Sequence, residues 1–321
     1  MIAPALLLAY AVIMGSIGAR QLQRARWPQR SPRLGMLAWQ ALSVSIVLAA
    51  LLIGVTLAVP TLPISTRLAS LLDACWLAIR EQYSTPGGAT VASVGVLLVV
   101  AVLGRLGFSL AVEVLSAFYR RREQRRRLMI GAPSDPSTGV LVVPHATSAV
   151  YCLPGRPGVV VCTSAAVAAL DGRQLRAVLA HERAHLRSRH DIILAAAAGL
   201  QTAFPFVPAF TLARAELARL VEMQADDAAV AGDDRRVLAS ALVRLAEGAV
   251  PGVAMGAGGT TALARMRRLA RPPNPLTRPW SAVAAGSALL AVLLPLLIAA
   301  GPALVAAVLD YCPLGFPLAR S

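Results

Sequence analysis

Lysine is absent from this chain of 321 residues, so all 31 of its basic residues are arginines. Acidic residues number only 16, aromatic residues make up 5% of the chain, and cysteine occurs four times. The cysteines form no C-x-x-C pair, which excludes a zinc knuckle and a disulfide framework; they are Cys75, Cys152, Cys162 and Cys312. Scarce aromatic residues also argue against a nucleic-acid surface, where they would alternate with basic residues.

Hydrophobic residues are abundant instead, at 57% of the chain. This fraction is too high for a soluble protein and predicts a membrane protein. Four stretches are long and apolar enough to cross about 30 Å of hydrocarbon as helices: Ile2 to Ala19, Gly35 to Val59, Val91 to Val112 and Trp280 to Leu309. The first lacks the basic start and the cleavage site of a signal peptide, so we treat it as a span.

The arginines flank these stretches unevenly, which predicts the orientation of the chain. The loop after the first span carries five arginines and no acid, whereas the loop from 60 to 90 balances two arginines with two acids. Six more arginines lie between Arg120 and Arg127. The positive-inside rule therefore predicts three spans in 1–118, a cytoplasmic domain at 119–278, and a fourth span with a short outer tail at 279–321. Cys75 and Cys312 would lie outside, where an oxidising exterior would allow a disulfide.

Two ionisable residues, Arg105 and Glu113, fall in or near the third span. Charged groups at membrane depth are often functional. Alternatively, both side chains extend to the nearby cytoplasmic interface. The sequence leaves the two alternatives open.

Within the predicted cytoplasmic domain, short β-type runs precede helical periodicity. The runs are Val140 to Val143, Ala149 to Leu153 and Val159 to Cys162, with proline and glycine residues between the last two. Asp171 stands three residues before Gln174, a capping-box spacing that predicts the start of a helix. The domain should therefore combine α and β structure, with Cys152 and Cys162 reduced.

The predicted helix carries the motif H-E-x-x-H at residues 181 to 185. Residues four apart share one face of a helix, so His181 and His185 can bind one zinc ion. Glu182 would then act as the general base. The alternative is a solvated helix face of histidine and glutamate.

A catalytic zinc ion needs a third protein ligand. The helical stretch from Ala209 to Ala231 offers four carboxylates: Glu216, Glu222, Asp226 and Asp227. Glu222 and Asp226 are four apart and would share a face, so that Glu222 could reach the metal while Asp226 supports a ligating histidine. A solvated acidic face is the alternative.

The two remaining histidines are predicted to lie outside the site. On a continuous helix of 3.6 residues per turn, His190 would lie roughly 140 to 180° away from the face of His181 and His185. His145 falls in the β-rich portion and is expected at the surface, although a role in substrate binding is an alternative.

The stretch from Ile192 to Phe210 contains no charged residue and could be mistaken for a fifth span. A complete crossing would put His185 and Glu222 on opposite sides of the membrane. We therefore predict that this stretch, interrupted by Pro205 and Pro208, is re-entrant, membrane-peripheral or buried within the domain.

The sequence H-E-R-A-H-L-R-S-R-H-D, followed by E-M-Q-A-D-D-A, resembles the membrane gluzincins. The likeness is to the BlaR/MecR-type metallopeptidases and, more distantly, to the HtpX and CAAX-protease type. It implies that His181, His185 and Glu222 bind zinc, that Glu182 is the base, and that Asp226 is the supporting carboxylate. Sensors of this group carry a penicillin-binding domain after the last span, whereas this chain stops soon after Leu309, so direct β-lactam sensing is not expected.

Together these features predict a mostly α membrane protein, with four transmembrane helices and an inserted α+β zincin-like metallopeptidase domain. It would be a Zn²⁺ endopeptidase of a bacterial cell membrane that cleaves a cytoplasmic or membrane-proximal protein, such as a transcriptional repressor or itself. Its expected partners are a protein or peptide substrate and the lipid bilayer, with no direct nucleic-acid contact and a homodimer left open. A non-catalytic signal transducer or scaffold is the main alternative; a small transporter is disfavoured because the spans show no repeat.

Overall fold

The computed structural model describes residues 2–59, 87–129, 134–135, 140–230, 235–247, 258–272 and 274–310. Cys75, Cys312 and residues 60–86 of the second loop lie outside these ranges. The predicted disulfide and the charge balance of that loop therefore stay predictions.

The first half of the chain is helical apart from a small sheet. Its elements are α1 (Ile2–Ile13), a π-helical turn (Met14–Gly18), α2 (Ala19–Arg24), α3 (Trp27–Arg30), α4 (Pro32–Ala58), α5 (Gly88–Met129), β1 (Ser134–Asp135), β2 (Val140–Val143), β3 (Val150–Leu153) and β4 (Val159–Thr163). The second half contains α6 (Ser164–Ala169), α7 (Gly172–Ser188), α8 (His190–Ala203), α9 (Pro208–Ala229), α10 (Arg235–Glu247), α11 (Gly258–Leu269) and α12 (Arg278–Asp310).

Four helical stretches of the described residues are long and apolar enough to cross a membrane. They are Ile2–Arg24, Pro32–Ala58, Gly88–Leu128 and Arg278–Pro302. Each contains or overlaps one of the four stretches predicted from the sequence. These helices indicate a membrane protein, and the chain is built mostly of helices.

Helix α5 is much longer than the span predicted from Val91 to Val112. Its 42 residues correspond to about 63 Å, roughly twice the thickness of the hydrocarbon core. The arginine run continues the same helix instead of following it. Arg121 Nη1 lies 2.9 Å from Asp191 Oδ2, and Arg125 donates to the carbonyl oxygen of Pro157. These contacts attach the extension of α5 to α8 and to the turn before β4.

The three predicted β-runs are strands of one sheet, which has the order β1-β2-β4-β3. Strand β2 runs parallel to β4, and β3 pairs with β4 in the antiparallel direction. In the described part of the chain, β3 therefore has a free edge. Helix α7 packs beside this strand.

The predicted capping box at the start of α7 is present. The Asp171 carboxylate accepts hydrogen bonds from the main-chain N–H groups of Arg173 and Gln174, at 2.8 and 2.9 Å. In return, the side chain of Gln174 accepts a hydrogen bond of 3.1 Å from the main-chain N–H of Asp171. These bonds satisfy donors that the first helical turn leaves free, which explains why α7 begins at Gly172.

Helix α9 packs directly against the candidate span α4. Trp39 of α4 lies in one apolar cluster with Phe210, Leu217 and Leu220 of α9, and all four are buried. Full burial of such side chains stabilises a fold by about 1.5 to 3 kcal/mol each. This cluster therefore holds α9 at a constant position relative to the membrane helices.

The uncharged stretch after Ile192 forms most of α8, which has 14 residues. Its length of about 21 Å is too short to cross the hydrocarbon core. The helix packs between α5 and α9, so closely that a Cβ atom at Gly199 would lie 2.6 Å from Leu110. Helix α8 buries Ala197, Ala198 and Gly199 but leaves Ile192 53% exposed, so the choice between a re-entrant, a membrane-peripheral and a buried stretch stays a prediction.

Arg105 and Glu113 both contact the end of α8. Arg105 donates to the carbonyl oxygen of Ala203, and the Glu113 carboxylate accepts a hydrogen bond of 3.4 Å from the Thr202 hydroxyl. A cation beside the last carbonyl groups of a helix is stabilising because it satisfies acceptors without an intrahelical partner. These two residues therefore join α5 to the end of α8.

Helices α4 and α5 meet where Gly54 faces Gly95. A Cβ atom at Gly95 would lie 2.5 Å from the Gly54 carbonyl oxygen, whereas one at Gly104, further along α5, would have no described atom within 4 Å. We expect Gly95→Ala to destabilise the protein by about 1 to 3 kcal/mol through overpacking. Gly104→Ala, the matched control, should leave stability unchanged or slightly higher, because alanine favours helix. Thermal unfolding in detergent measures both, and equal melting temperatures would contradict the described packing.

Candidate metal centre

Three predicted ligands come together between α7 and α9. His181 Nε2 and His185 Nε2 lie 3.2 Å apart, because the two residues are one helical turn apart on α7. Glu222 of α9 brings one carboxylate oxygen to 3.5 Å from His181 Nε2 and the other to 3.5 Å from His185 Nε2. One donor atom from each residue lies within 4.8 Å of the other two.

This donor set fits a zinc ion. A tetrahedral ion with bonds of about 2.0 to 2.1 Å separates its ligand atoms by about 3.3 to 3.4 Å. The 3.2 Å between the two Nε2 atoms agrees with that geometry, and each Nε2 atom has one oxygen of Glu222 at 3.5 Å. Two imidazole nitrogens with one carboxylate oxygen also form a ligand set typical of catalytic zinc, which leaves the fourth position for water or substrate.

The other nitrogen of each imidazole has a partner of its own. His181 Nδ1 lies 3.1 Å from Asp226 Oδ1, and His185 Nδ1 lies 2.9 Å from His190 Nδ1. If both Nε2 atoms bind metal, both Nδ1 atoms carry a proton and can donate it to these partners. Such contacts fix the tautomer and the orientation of ligating histidines.

The position of His190 contradicts the prediction made from the sequence. A continuous helix would turn His190 away, but α7 ends at Ser188, and the next residue, Arg189, has left-handed φ and ψ of 48° and 45°. Helix α8 then begins at His190. The imidazole ring of His190 lies against that of His185, with the two ring centroids 4.7 Å apart. His190 is only 1% exposed, and its side chain faces Gln224 on α9.

The hydrogen bond between His185 and His190 has a defined donor and acceptor. Burial, the largest cause, lowers the pKa of His190, so this imidazole is neutral near pH 7. It can accept a hydrogen bond at Nδ1 from the Nδ1–H group of His185. His190 thus lies against the second nitrogen of His185, as Asp226 lies against that of His181.

Arg265 of α11 is the main residue that the sequence did not single out. Its guanidinium binds Asp226 through two hydrogen bonds, from Nε at 2.9 Å and from Nη2 at 2.7 Å. Its Nη1 also lies 2.8 Å from Glu222 Oε2. Asp226 has no exposed surface, and a buried carboxylate needs such charge-assisted partners. One arginine among 31, in an arginine-rich helix, carries no local signal of this role.

Burial and neighbouring charges shift the pKa values of the three candidate ligands in different directions. Burial lowers the pKa of His181, but hydrogen bonds to Asp226 and Glu222 outweigh it and raise this pKa to about 9. Burial, the main cause, lowers the pKa of His185 to about 4. Burial raises the pKa of Glu222, but the hydrogen bond to His181 and the charge of Arg265 lower it overall. Near pH 7 a metal ion must therefore displace a proton from His181, whereas His185 and Glu222 are ready to bind.

Glu182 faces the strand β3 through Cys152. Its carboxylate interacts with the thiol and the main-chain N–H of Cys152, while burial, the largest cause, raises the pKa of Glu182. Burial and then the charge of Glu182 raise the pKa of Cys152 to about 12, so this thiol stays protonated. The structure contains free thiols at Cys152 and Cys162. A carboxylate with a raised pKa is suited to exchanging protons near neutral pH.

The other candidates lie elsewhere. Glu216 pairs with Arg219 and Asp227 pairs with Arg268. His145 is exposed, and its Nδ1 accepts a hydrogen bond of 3.0 Å from the main-chain N–H of Thr147.

Two histidines and a glutamate in this arrangement define the class as a metallopeptidase-type site on a membrane protein. Residues 128–303 match Peptidase family M48. The matched region is more than half of the chain, and the protein belongs to Peptidase family M48. No curated protein and no solved structure matches the chain significantly.

His190 provides a direct test of the second contact layer around the ligands. Without it, His185 Nδ1 has lost its acceptor, and we expect His190→Ala to weaken zinc binding by about 10- to 100-fold. His190→Gln, whose amide oxygen can accept the same hydrogen bond, should recover part of the loss. Competition with a chromophoric chelator measures the affinity in detergent. His145→Ala is the control, and equal affinity in His190→Ala and His145→Ala would contradict the role of His190.

Proposed function

We propose that this chain is a zinc-dependent endopeptidase, anchored in a bacterial cell membrane, with its active site on the cytoplasmic side. The observation that supports this most is the meeting of His181, His185 and Glu222 within 4.8 Å of one another. Membership of Peptidase family M48 supports the same activity independently of that geometry.

In this proposal His181, His185 and Glu222 hold the zinc ion, and Asp226 and His190 orient the two imidazoles. Zinc, when bound, supplies a Lewis acid that activates water and polarises the scissile carbonyl. Glu182 accepts the proton of the attacking water and delivers it to the leaving amine nitrogen. Arg265 keeps Asp226 and Glu222 ionised, because its positive charge favours the deprotonated carboxylates.

An extended peptide is the substrate form that this site suits. Strand β3 has a free edge in the described sheet, and Cys152 of that strand contacts Glu182. A peptide that adds to this edge would be held through its main chain, with its scissile bond brought towards Glu182. Recognition of this kind depends little on side-chain sequence.

The substrate is proposed to be a cytoplasmic or membrane-proximal protein. The arginine-rich first loop and the arginine run of α5 favour the cytoplasmic side for the site. The packing of α9 on α4 and of α8 on α5 keeps the site near the membrane helices. The resemblance to BlaR/MecR-type peptidases favours regulatory proteolysis, such as cleavage of a repressor or of the chain itself.

Glu182→Gln tests whether the protein is an enzyme or a non-catalytic scaffold. The amide cannot accept a proton, so we expect cleavage to fall by about 10² to 10⁴-fold while bound zinc is retained. Full-length protein in nanodiscs would be incubated with unfolded casein, and both casein fragments and self-cleavage would be measured by mass spectrometry.

Glu216→Gln is the matched control, because it removes a carboxylate of α9 that pairs with Arg219 outside the site. This control should cleave at the wild-type rate. Wild-type protein that contains zinc but cleaves neither casein nor itself would favour the scaffold. Equal cleavage by Glu182→Gln and the wild type would show that Glu182 is not the base.

A further inference from the structure

A second cleft, bordered by α11 and by the segments between candidate spans, is rich in arginine. It has a volume of 710 Å³ and is lined by one aspartate, Asp227, and by six arginines: Arg26, Arg30, Arg235, Arg267, Arg268 and Arg271. Neither the proposed mechanism nor the family assignment uses these residues. The positive charge of the cleft therefore has no role in the proposed mechanism.

The single aspartate does not neutralise the cleft. Asp227 is bound in a bidentate manner by Arg268, with nitrogen to oxygen distances of 2.7 and 2.6 Å. Arg30 donates to the carbonyl oxygens of Asn274 and Pro275 and to the Asn274 side chain. These uncharged partners orient the guanidinium without cancelling its charge.

Arg235 is oriented in the same way, by the carbonyl oxygens of Leu269 and Arg268. For Arg26, Arg267 and Arg271, the described part of the chain provides no carboxylate within ion-pair distance. Among the described residues, five arginines of the cleft therefore have no carboxylate partner, and two of them are held in place by main-chain acceptors.

The cleft lies where three candidate membrane spans end. The first span ends at Arg24, the second begins at Pro32, and the last begins at Arg278. The cleft is lined by residues 26–30 from the first junction and by residues 271–275 just before the last span. The cleft thus lies beside the ends of three candidate spans, where lipid headgroups would be expected.

An apolar cavity of 600 Å³ adjoins the basic cleft, and Arg30 lines both. Its walls come from the first, second and last spans and include Leu42, Val283 and two tryptophans, Trp27 and Trp280. Tryptophan is typical of the membrane interface, where an apolar ring lies beside a polar region. A basic cleft and an apolar cavity therefore lie side by side and share Arg30.

We propose that this pair of cavities binds an anionic phospholipid, with its phosphate among the arginines and an acyl chain beside the tryptophans. Arginine is suited to this ligand because its planar guanidinium binds phosphate through two parallel hydrogen bonds. Basic pockets between spans on the cytoplasmic side are a known mode of lipid recognition. A free phosphate or a soluble polyanion would have no use for the adjoining apolar cavity.

Lipid bound here would contact the helix that also supports the zinc site. Arg267 and Arg268 face the cleft, whereas Arg265 of the same helix, α11, binds Asp226. The inference concerns binding itself and does not depend on the proposed peptidase activity. It can therefore be tested on protein without zinc or substrate.

The test uses Trp27 and Trp280 as reporters in the full-length protein, in which Trp39→Phe and Trp76→Phe remove the other two tryptophans. Nanodiscs of phosphatidylcholine would contain a minor fraction of a lipid brominated on its acyl chains. This lipid would be phosphatidylglycerol in one sample and phosphatidylcholine in the other, and the quenching of tryptophan fluorescence would be compared between the two. We expect brominated phosphatidylglycerol to quench more strongly. In R26Q/R267Q/R271Q its apparent affinity should fall by about fivefold for each arginine removed.

The matched control is R120Q/R122Q/R126Q, which removes the same charge from the exposed arginine run of α5. This control should keep the preference for phosphatidylglycerol, and so should wild-type protein in millimolar inorganic phosphate. Equal quenching by the two brominated lipids in the wild type would overturn the proposal. An equal loss of affinity in both triple variants would also overturn it, because this would indicate only general attraction to an anionic surface. Displacement of the lipid by inorganic phosphate would overturn it as well, because this would indicate a site for the free anion.

Discussion

The fully buried carboxylate of Asp226 is held by His181 on one side and by Arg265 on the other, and this contact joins the three helices of the site. A buried charge is stable only with partners of opposite charge and good geometry. Asp226 has no exposed surface, and burial alone would raise its pKa, but hydrogen bonds from Arg265 and His181 lower that pKa to about 2. The fold must therefore bring α7, α9 and α11 together before this carboxylate can be buried.

The membrane helices make that arrangement possible. Helix α9 is fixed against α4 by the cluster around Trp39 and Phe210, and α8 is fixed against α5 by close packing at Gly199. The long α5 also reaches α8 through Arg121 and Asp191. The helices of the site therefore pack directly on the candidate spans, and their apolar contacts come from residues of those spans.

Local patterns predicted those parts of the structure that local forces determine. Hydrophobic length predicted the four long apolar helices, the spacing of Asp171 and Gln174 predicted the start of α7, and four-residue spacing predicted that His181 and His185 share a face. His190 was predicted wrongly because one left-handed residue, Arg189, ends the helix, and the sequence contains no glycine there to signal it. Arg265 could not be predicted, because its partners are about 40 positions away along the chain and only tertiary packing brings them together.

We propose that His181, His185 and Glu222 bind one zinc ion directly. Zinc K-edge X-ray absorption on the purified full-length protein tests it most directly, together with the zinc content of His181→Ala and Glu222→Ala. The account predicts nitrogen and oxygen neighbours at about 2.0 to 2.1 Å, two of them imidazoles, and loss of zinc from both variants. Folded protein that has met no chelator and contains no zinc, or a sulfur neighbour at about 2.3 Å, would contradict it.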